Sequence, residues 1–437
     1  MVVAERPAVA CPLAPPGRRR GVPLLAAAAL LAAAAGLYAA AVACHPLAAM
    51  LTGFDLRVYR GAGLLVWHDE ARLYRWQLIP GARFTYTPFA AALFALAAPL
   101  PAAAALWLMA AVSLLALSAA VWLTAGQLGW TGRRRAALAC AVTAAALWTE
   151  PVQRTLHVGQ VELLLMAVVI WDLGQPATRR WRGLGIGLAA GVKLVPLIFI
   201  PYLLVTRRFR QAAVAGAVFA ATAAAGWAAL PTASGQWWLG PDFLSAGRTG
   251  FVGFEANQSL RGLLTRLAGG SPGGTVAWLV LAVAVGLAGM AGAARLHAAG
   301  QPVAGWLCCA LTGLLVSPIS WDHHWVWIAP GLAAGADAAL RASGRSRQAA
   351  WGLLAALGLA FAAWPSLWNR RAALVPWGLI WYPPGTASGL SDRAPHPEYA
   401  WHGIGLLAGN AYLLCGLAAL AVLLAAAARS RNLVLGT

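Results

Sequence analysis

Five polar clusters in an otherwise apolar chain carry residue types that could do chemistry. In Phe54-Asp55-Leu56-Arg57-Val58-Tyr59-Arg60 an acid could take the proton of an attacking hydroxyl, with Arg57 or Arg60 for an anionic leaving group. A solvated, ion-paired loop is the plainer reading of the same spacing. In Ser317-Pro318-Ile319-Ser320-Trp321-Asp322-His323-His324-Trp325, the Asp-His-His run could ligate a divalent metal, polarise a phosphate or hydrogen-bond a sugar beside the tryptophans. It could also be an interfacial patch, and adjacent histidines on a helix point about 100° apart, which disfavours one shared ion. Lys193, the only lysine, lies in Gly191-Val192-Lys193-Leu194-Val195-Pro196. Charge at membrane depth is costly and usually functional, and a lysine suits a phosphate, although it can also snorkel to the interface. Asn257 and Gln258 offer paired donors and acceptors of the kind sugar hydroxyls need. Phe84-Thr85-Tyr86-Thr87-Pro88-Phe89 reads either as an interfacial anchor or as the lining of a site. Asp69-Glu70 is read as capping a short helix. No HExxH, P-loop or GxSxG motif supports zinc hydrolysis, NTP-driven transport or α/β-hydrolase chemistry.

The elements that must position these clusters are membrane helices. Of 437 residues, 61% are apolar and only 10% charged, the reverse of a soluble or disordered chain. The expected fold is an all-α polytopic membrane protein with a retained first span over 22–44. Further full spans are expected at 102–124, 136–148, 161–171, 212–230, 276–294, 303–316, 325–340, 350–367 and 404–427, about ten in all. Two apolar stretches do not fit: Pro88 to Leu100 is short, and Leu184 to Val205 is broken by Gly191, Lys193, Pro196 and Pro201. Both are read as short or re-entrant hairpins, tolerated where they are buried or line a wet cavity. The six cysteines show no ligand spacing and read as apolar fillers.

The net charge of +19 comes from arginines in short clusters between apolar runs, a pattern of membrane anchors rather than of nucleic-acid binding. With both odd stretches returning to the side they left, 19 arginines fall on the cytoplasmic side and 12 outside. Nine of the 13 acids and the loops 45–85, 231–275 and 368–402 fall outside. The organisation expected is a basic cytoplasmic segment 1–21, one transmembrane domain 22–428 with its first extracytoplasmic loop at 45–85, and a cytoplasmic tail 429–437, in the inner or plasma membrane with the site facing out.

The clusters together resemble a known family. Asp55-Leu56-Arg57-Val58-Tyr59, Leu73-Tyr74 and Phe84-Thr85-Tyr86-Thr87-Pro88 resemble the first extracytoplasmic loop of glycosyltransferase family 87, the bacterial polyprenol-phosphate-mannose-dependent α-1,2-mannosyltransferases of the GT-C class. The Gly191–Pro196, Asn257–Leu260 and Ser317–Trp325 runs resemble later blocks in the same order, so the likeness covers roughly residues 50 to 340. Tyr86-Thr87-Pro88 departs from the family's frequent Tyr-Pro-Pro.

The resemblance implies a GT-C type bundle, a polyprenyl-phosphate-mannose donor held in the membrane lipid, a single displacement with inversion, and catalysis outside the membrane. By position Asp55 matches the catalytic carboxylate. Arg57, Lys193 and a protonated His323 or His324 are then the candidates for the donor phosphate, and Tyr59, Tyr86, Asn257, Gln258, Trp321 and Asp322 for sugar or acceptor. Phosphate held by fixed cations is already a good leaving group, so no metal or other cofactor is expected. Phosphatidylinositol mannosides, lipoglycans and glycoproteins stay open as acceptors. A lipid-linked sugar transporter or flippase is the alternative, since broken helices and an intramembrane lysine suit it too, but its site should lie near the midplane. A purely structural membrane protein would not need Asp55, Lys193 and the histidines around one cavity.

Overall fold

A computed structural model describes residues 23–44, 51–79, 82–240, 246–363, 378–383 and 396–435. The expected basic segment 1–21 lies outside them, as do parts of the three long loops and the end of the expected span 350–367. Apart from one two-stranded hairpin, β1 (Gln77–Ile79) with β2 (Ala82–Arg83), the described residues form helices and connecting turns.

Among the described residues five helices are long and apolar enough to cross a membrane: α1 (Leu24–Cys44, apolar over Leu24–Val42), α4 (Ala102–Gln127), α10 (Phe209–Ala229), α13 (Pro272–Ala298) and α18 (Ala411–Leu435, apolar over Ala411–Arg429). Much of their surface points outward, with Leu25, Leu115, Leu287 and Val283 all more than 60% exposed. Such apolar surface is stable against lipid, not water. This is an all-α membrane protein.

Between α1 and α4 lie α2 (Phe54–His68) and α3 (Pro88–Ala97). Helix α3 begins where Pro88 can sit without a lost hydrogen bond, and the Thr87 hydroxyl caps it by accepting from the Ala90 N–H at 3.1 Å. After α4 come α5 (Gly132–Leu147), α6 (Glu150–Val158) and α7 (Glu162–Leu173). The expected span 161–171 is therefore the second arm of a bent pair, since α6 and α7 meet at 118°. At about 1.5 Å per residue, the 12 residues of α7 fall well short of a bilayer core.

Gly159 makes that bend. It sits at φ +72°, and an added Cβ would lie 2.8 Å from the Cβ of Leu56 on α2. The Gly53 N–H, at the start of α2, donates to the His157 carbonyl at 2.9 Å. The corner of the bent pair is thus stitched to the first turn of α2. Gly159→Ala is expected to lower stability by about 2–4 kcal/mol, combining a left-handed backbone penalty with overpacking against Leu56. Thermal unfolding in detergent reads this, and an unchanged midpoint would mean the corner is loosely held.

The stretch Leu184 to Val205 is broken as its sequence indicates: α8 (Leu184–Val192) ends at an extended Lys193, a short 3-10 turn covers Val195–Ile198, and α9 (Phe199–Val205) follows. Thr87 donates its hydroxyl to the Gly191 carbonyl beside this break. The chain continues through α11 (Pro231–Trp238), α12 (Leu260–Leu267) and α14 (Pro302–Val316), then a 3-10 turn Asp322–Trp327 into α15 (Ile328–Arg341). Helix α16 (Gly344–Ala360) and a short α17 (Gly403–Gly409) complete it; α17 is separated from α18 at Asn410, inside the expected span 404–427. Several expected spans are thus 12 to 17 residues long: α7 is largely buried in the bundle and need not present a full bilayer width of apolar surface, whereas α16 has no buried residue.

Candidate active site

Asp55 stands in the first turn of α2, half-buried, and Tyr59 lies one turn on, on the same face. Gln160, at the corner between α6 and α7, donates from Nε2 to Asp55 Oδ2 at 3.1 Å. The Gln160 carbonyl oxygen faces the hydroxyls of Tyr59 (2.6 Å) and Tyr86 (2.8 Å) and the Val161 N–H (3.2 Å). The two tyrosine oxygens are themselves 2.7 Å apart. The Tyr59 ring stacks on Phe94 of α3 at 4.3 Å, which anchors α2 to α3. Burial pushes the Asp55 carboxyl above its usual range, and His323, Lys193, Gln160 and Arg154 pull it partly back.

The second group of residues surrounds the broken helix. The Lys193 ammonium pairs with Glu162 at the start of α7 and lies 3.0 Å from His324 Nε2. It also sits 5.2 Å from the centre of the Tyr86 ring. His324 Nε2 is 3.2 Å from Glu162 Oε1. Burial, with Lys193 and His323 nearby, holds His324 well below its ordinary range, so the neutral ring accepts from the lysine. This works against the protonated form expected of His324 and leaves its ring beside the Lys193 cation.

The third group sits behind His323. Asp322 Oδ1 accepts from the His323 backbone N–H at 2.7 Å and lies 3.1 Å from His323 Nδ1. Arg154 of α6 reaches Asp322 Oδ2 at 3.4 Å and lies over the Trp381 ring. Burial raises the Asp322 carboxyl, but Arg154 and His323 outweigh it and leave Asp322 below its ordinary range. This fixes the histidine's other nitrogen: His323 Nε2 is buried and meets no partner among the described residues. Next to Asp322, Glu150 is fully buried and accepts from the Trp381 indole at 3.0 Å and from the Tyr412 hydroxyl at 2.9 Å.

The structure thus gathers Asp55, Lys193, His323 and His324 around one polar centre, with Tyr59 and Tyr86 joined to it through Gln160 and Asp322 behind His323, and it places Arg57, Asn257, Gln258 and Trp321 apart from it. Arg57 is exposed, because two residues along a helix turn the side chain about 200° away from Asp55. Tyr59 is buried, and both its hydroxyl and that of Tyr86 are engaged with Gln160. Asn257 donates to the carbonyls of Val252 and Pro318 and accepts from the Ser320 N–H, while Gln258 donates to Glu255 and Gly409 carbonyls. Those two amides are fully buried, and they fasten the loop before α12 to the Ser317–Trp325 run and to α17. Asp322 orients His323 and Arg154. Trp321, half-buried, packs edge-on against Phe254 and bridges to the Asn257 backbone.

Sequence reading missed Gln160, Glu162 and Arg154. Glu162 had a usable signal, because an isolated acid at the head of an apolar run needs a cation, and Lys193 is the one lysine available. Gln160 and Arg154 carry no comparable pattern. Ligand atoms of Glu162, His323 and His324 lie within 4.8 Å of one another, close enough to invite a metal ion. The Lys193 ammonium already bonds Glu162 and His324 there, so a second cation would meet direct repulsion.

The family model of glycosyltransferase family 87 matches residues 84–318. A polyprenol-phosphate-mannose-dependent alpha-(1-2)-phosphatidylinositol pentamannoside mannosyltransferase of Mycobacterium tuberculosis (strain CDC 1551 / Oshkosh) is 36% identical over 308 residues, covering 68% of this chain and 69% of the relative. A protein with the same description from Mycolicibacterium smegmatis (strain ATCC 700084 / mc(2)155) is 35% identical over 310 residues, covering 68% of this chain and 72% of the relative. A polyprenol-phosphate-mannose-dependent alpha-(1-2)-phosphatidylinositol mannoside mannosyltransferase of Mycobacterium tuberculosis (strain ATCC 25618 / H37Rv) is 32% identical over 295 residues, 64% of this chain and 69% of the relative. No solved structure matches the chain.

Proposed function

The chain belongs to glycosyltransferase family 87, and from that premise we propose that it transfers mannose from polyprenyl-phosphate-mannose to a hydroxyl of a phosphatidylinositol mannoside, forming an α-1,2 linkage with inversion. The observation that carries this reading is the meeting of one carboxylate, Asp55, with a set of phosphate-binding groups contributed by sequence-distant segments. Attack by the acceptor oxygen on C1 breaks the C1–O bond to phosphate as the O–H bond of the acceptor breaks. The proton passes to Asp55, and the electron pair of the broken glycosyl bond leaves with polyprenyl phosphate.

The leaving phosphate needs donors that do not have to reorganise. Lys193 has three N–H bonds, of which Glu162 and His324 hold two. The third and the charge of Arg154 complete the cradle, joined by His323 Nε2 when that ring carries a proton on each nitrogen, since Nδ1 is turned to Asp322. The reaction needs no metal, since these fixed groups supply the charge stabilisation. The prenyl chain stays in the bilayer and enters beside the break at Lys193. We read the shorter helices as completing about ten spans of a GT-C type bundle, one domain over 22–428, with the arginine clusters cytoplasmic and the site on the outer face of the plasma membrane.

The purified protein in lipid nanodiscs, given labelled polyprenyl-phosphate-mannose and phosphatidylinositol mannosides, is expected to yield labelled glycolipid sensitive to an α-1,2-mannosidase. Movement of label across a vesicle membrane with no glycoside formed would establish the transporter reading instead.

A further inference from the structure

The hydrogen-bond pattern around Gln160 distinguishes the two oxygens of Asp55. Exchanging the oxygen and nitrogen of the Gln160 amide would turn its NH2 toward the Val161 N–H and its carbonyl toward the Asp55 carboxylate. Both contacts would be repulsive, so the amide has one workable orientation. The tyrosines reinforce it. Each has one proton, so with their oxygens 2.7 Å apart one hydroxyl donates to the other and the second donates to Gln160 Oε1. Gln160 is buried, and every polar atom of its side chain is engaged. Its NH2 meets Asp55 at Oδ2 alone, and Oδ1 takes no hydrogen bond among the described residues.

We propose that Gln160 is the positioning residue of the transfer reaction: locked by Tyr59, Tyr86 and the Val161 N–H, it holds Asp55 Oδ2 and leaves Oδ1 to receive the acceptor's proton. This rests on Asp55 being the base. The groups facing Asp55 are Lys193 at the end of α8, His323 of the 3-10 turn, Arg154 of α6 and Gln160 at the α6–α7 corner. Glu162 of α7 and Tyr86 complete the surroundings through their contacts with Lys193 and Gln160. Among these Gln160 is the neutral donor in direct hydrogen-bond contact with the carboxylate, so it sets geometry as well as charge. A hydrogen bond to the ionised form lowers the pH at which the base becomes competent, and its loss raises that pH.

The test is the pH dependence of kcat/KM with polyprenyl-phosphate-mannose for wild type, Gln160→Ala, Gln160→Glu and Asp55→Asn, with thermal unfolding of each. The acid limb is expected to move to higher pH in both Gln160 variants, by about one unit or more where Glu adds a like charge. In Gln160→Ala, kcat falls about 10- to 100-fold, as a misplaced base requires, while KM for the donor stays near wild type. An inactive Asp55→Asn together with Gln160 variants that keep the wild-type acid limb and kcat overturns the positioning role and leaves Asp55 as base. An active Asp55→Asn removes the base itself. If the Gln160 variants unfold, Tyr86→Phe keeps the ring and loses one donor; a smaller shift in the same direction supports the proposal, and an unmoved limb overturns it.

Discussion

Asp55→Asn is expected to lower kcat for mannosyl transfer by about 10²- to 10⁴-fold, the range for removing a positioned general base, while KM for the donor changes little. The asparagine oxygen can still accept from Gln160, so the local structure survives the change. Stability should hold or rise, and the sign follows from the raised folded-state pKa of the carboxyl. Such a group contributes stability that is complete below its unfolded pKa and is lost as pH climbs through the folded value. Above that folded value the wild type therefore bears the cost of ionising a carboxyl that burial disfavours, and the amide removes it. A melting midpoint at pH 7.5 equal to or above wild type, with transfer nearly abolished, is the expected pair of results. For the same reason wild-type activity should fall on the acid side at a pH above the ordinary carboxylate range, and that limb should vanish from any residual Asp55→Asn activity.

Lys193→Met is expected to affect stability and chemistry together. It strips Glu162 of its cation inside the bundle, and removing one partner of a buried pair costs about 3–5 kcal/mol, because the remaining charge is left uncompensated. Glu162 Oε2 is already buried without a partner among the described residues, which leaves the His324 ring, 3.2 Å from Oε1, as the group beside the charge. The change also removes the third N–H from the leaving phosphate, a loss on the scale of about 10²- to 10³-fold in kcat by analogy with oxyanion donors. The double variant Lys193→Met/Glu162→Gln separates the two effects. Its melting midpoint should recover most of the loss, since no charge is left unpaired, while transfer stays as low as in the single variant. Recovery of both would make Lys193 a structural counter-ion only.

What the sequence could reveal of this site depended on whether a residue's type alone betrayed its task. A lone lysine in an apolar stretch next to Pro196 marks both a broken helix and a functional charge, and Lys193 is both a break and a hub of the polar centre. The Asp-His-His run is equally conspicuous. Arg57 misled because the run around Asp55 reads as a loop; once Phe54–His68 is known to be helical, its angle excludes it and selects Tyr59. Asn257 and Gln258 were ambiguous for another reason: an amide's chemistry serves a sugar and a backbone carbonyl equally well, and here their NH2 groups meet backbone carbonyls. Gln160 was invisible because its role comes from Gly159, whose positive φ turns α6 into α7 and brings the amide against α2. Helix identity was legible from apolar content for the long apolar helices, but not for α2, α11 and α12, which lie in stretches read as loops. Span lengths were not, because runs such as Glu162–Leu173 are apolar through contact with other helices rather than with lipid.

A structure of the protein with polyprenyl-phosphate-mannose bound would show whether Asp55, Lys193 and His323 meet the donor as one site. The donor phosphate is expected within hydrogen-bond distance of Lys193 Nζ and His323 Nε2, with the anomeric carbon turned so that an acceptor oxygen fits between it and Asp55 Oδ1. A donor whose phosphate rests away from Lys193 and His323, or whose sugar turns its leaving-group side toward Asp55, would contradict the account.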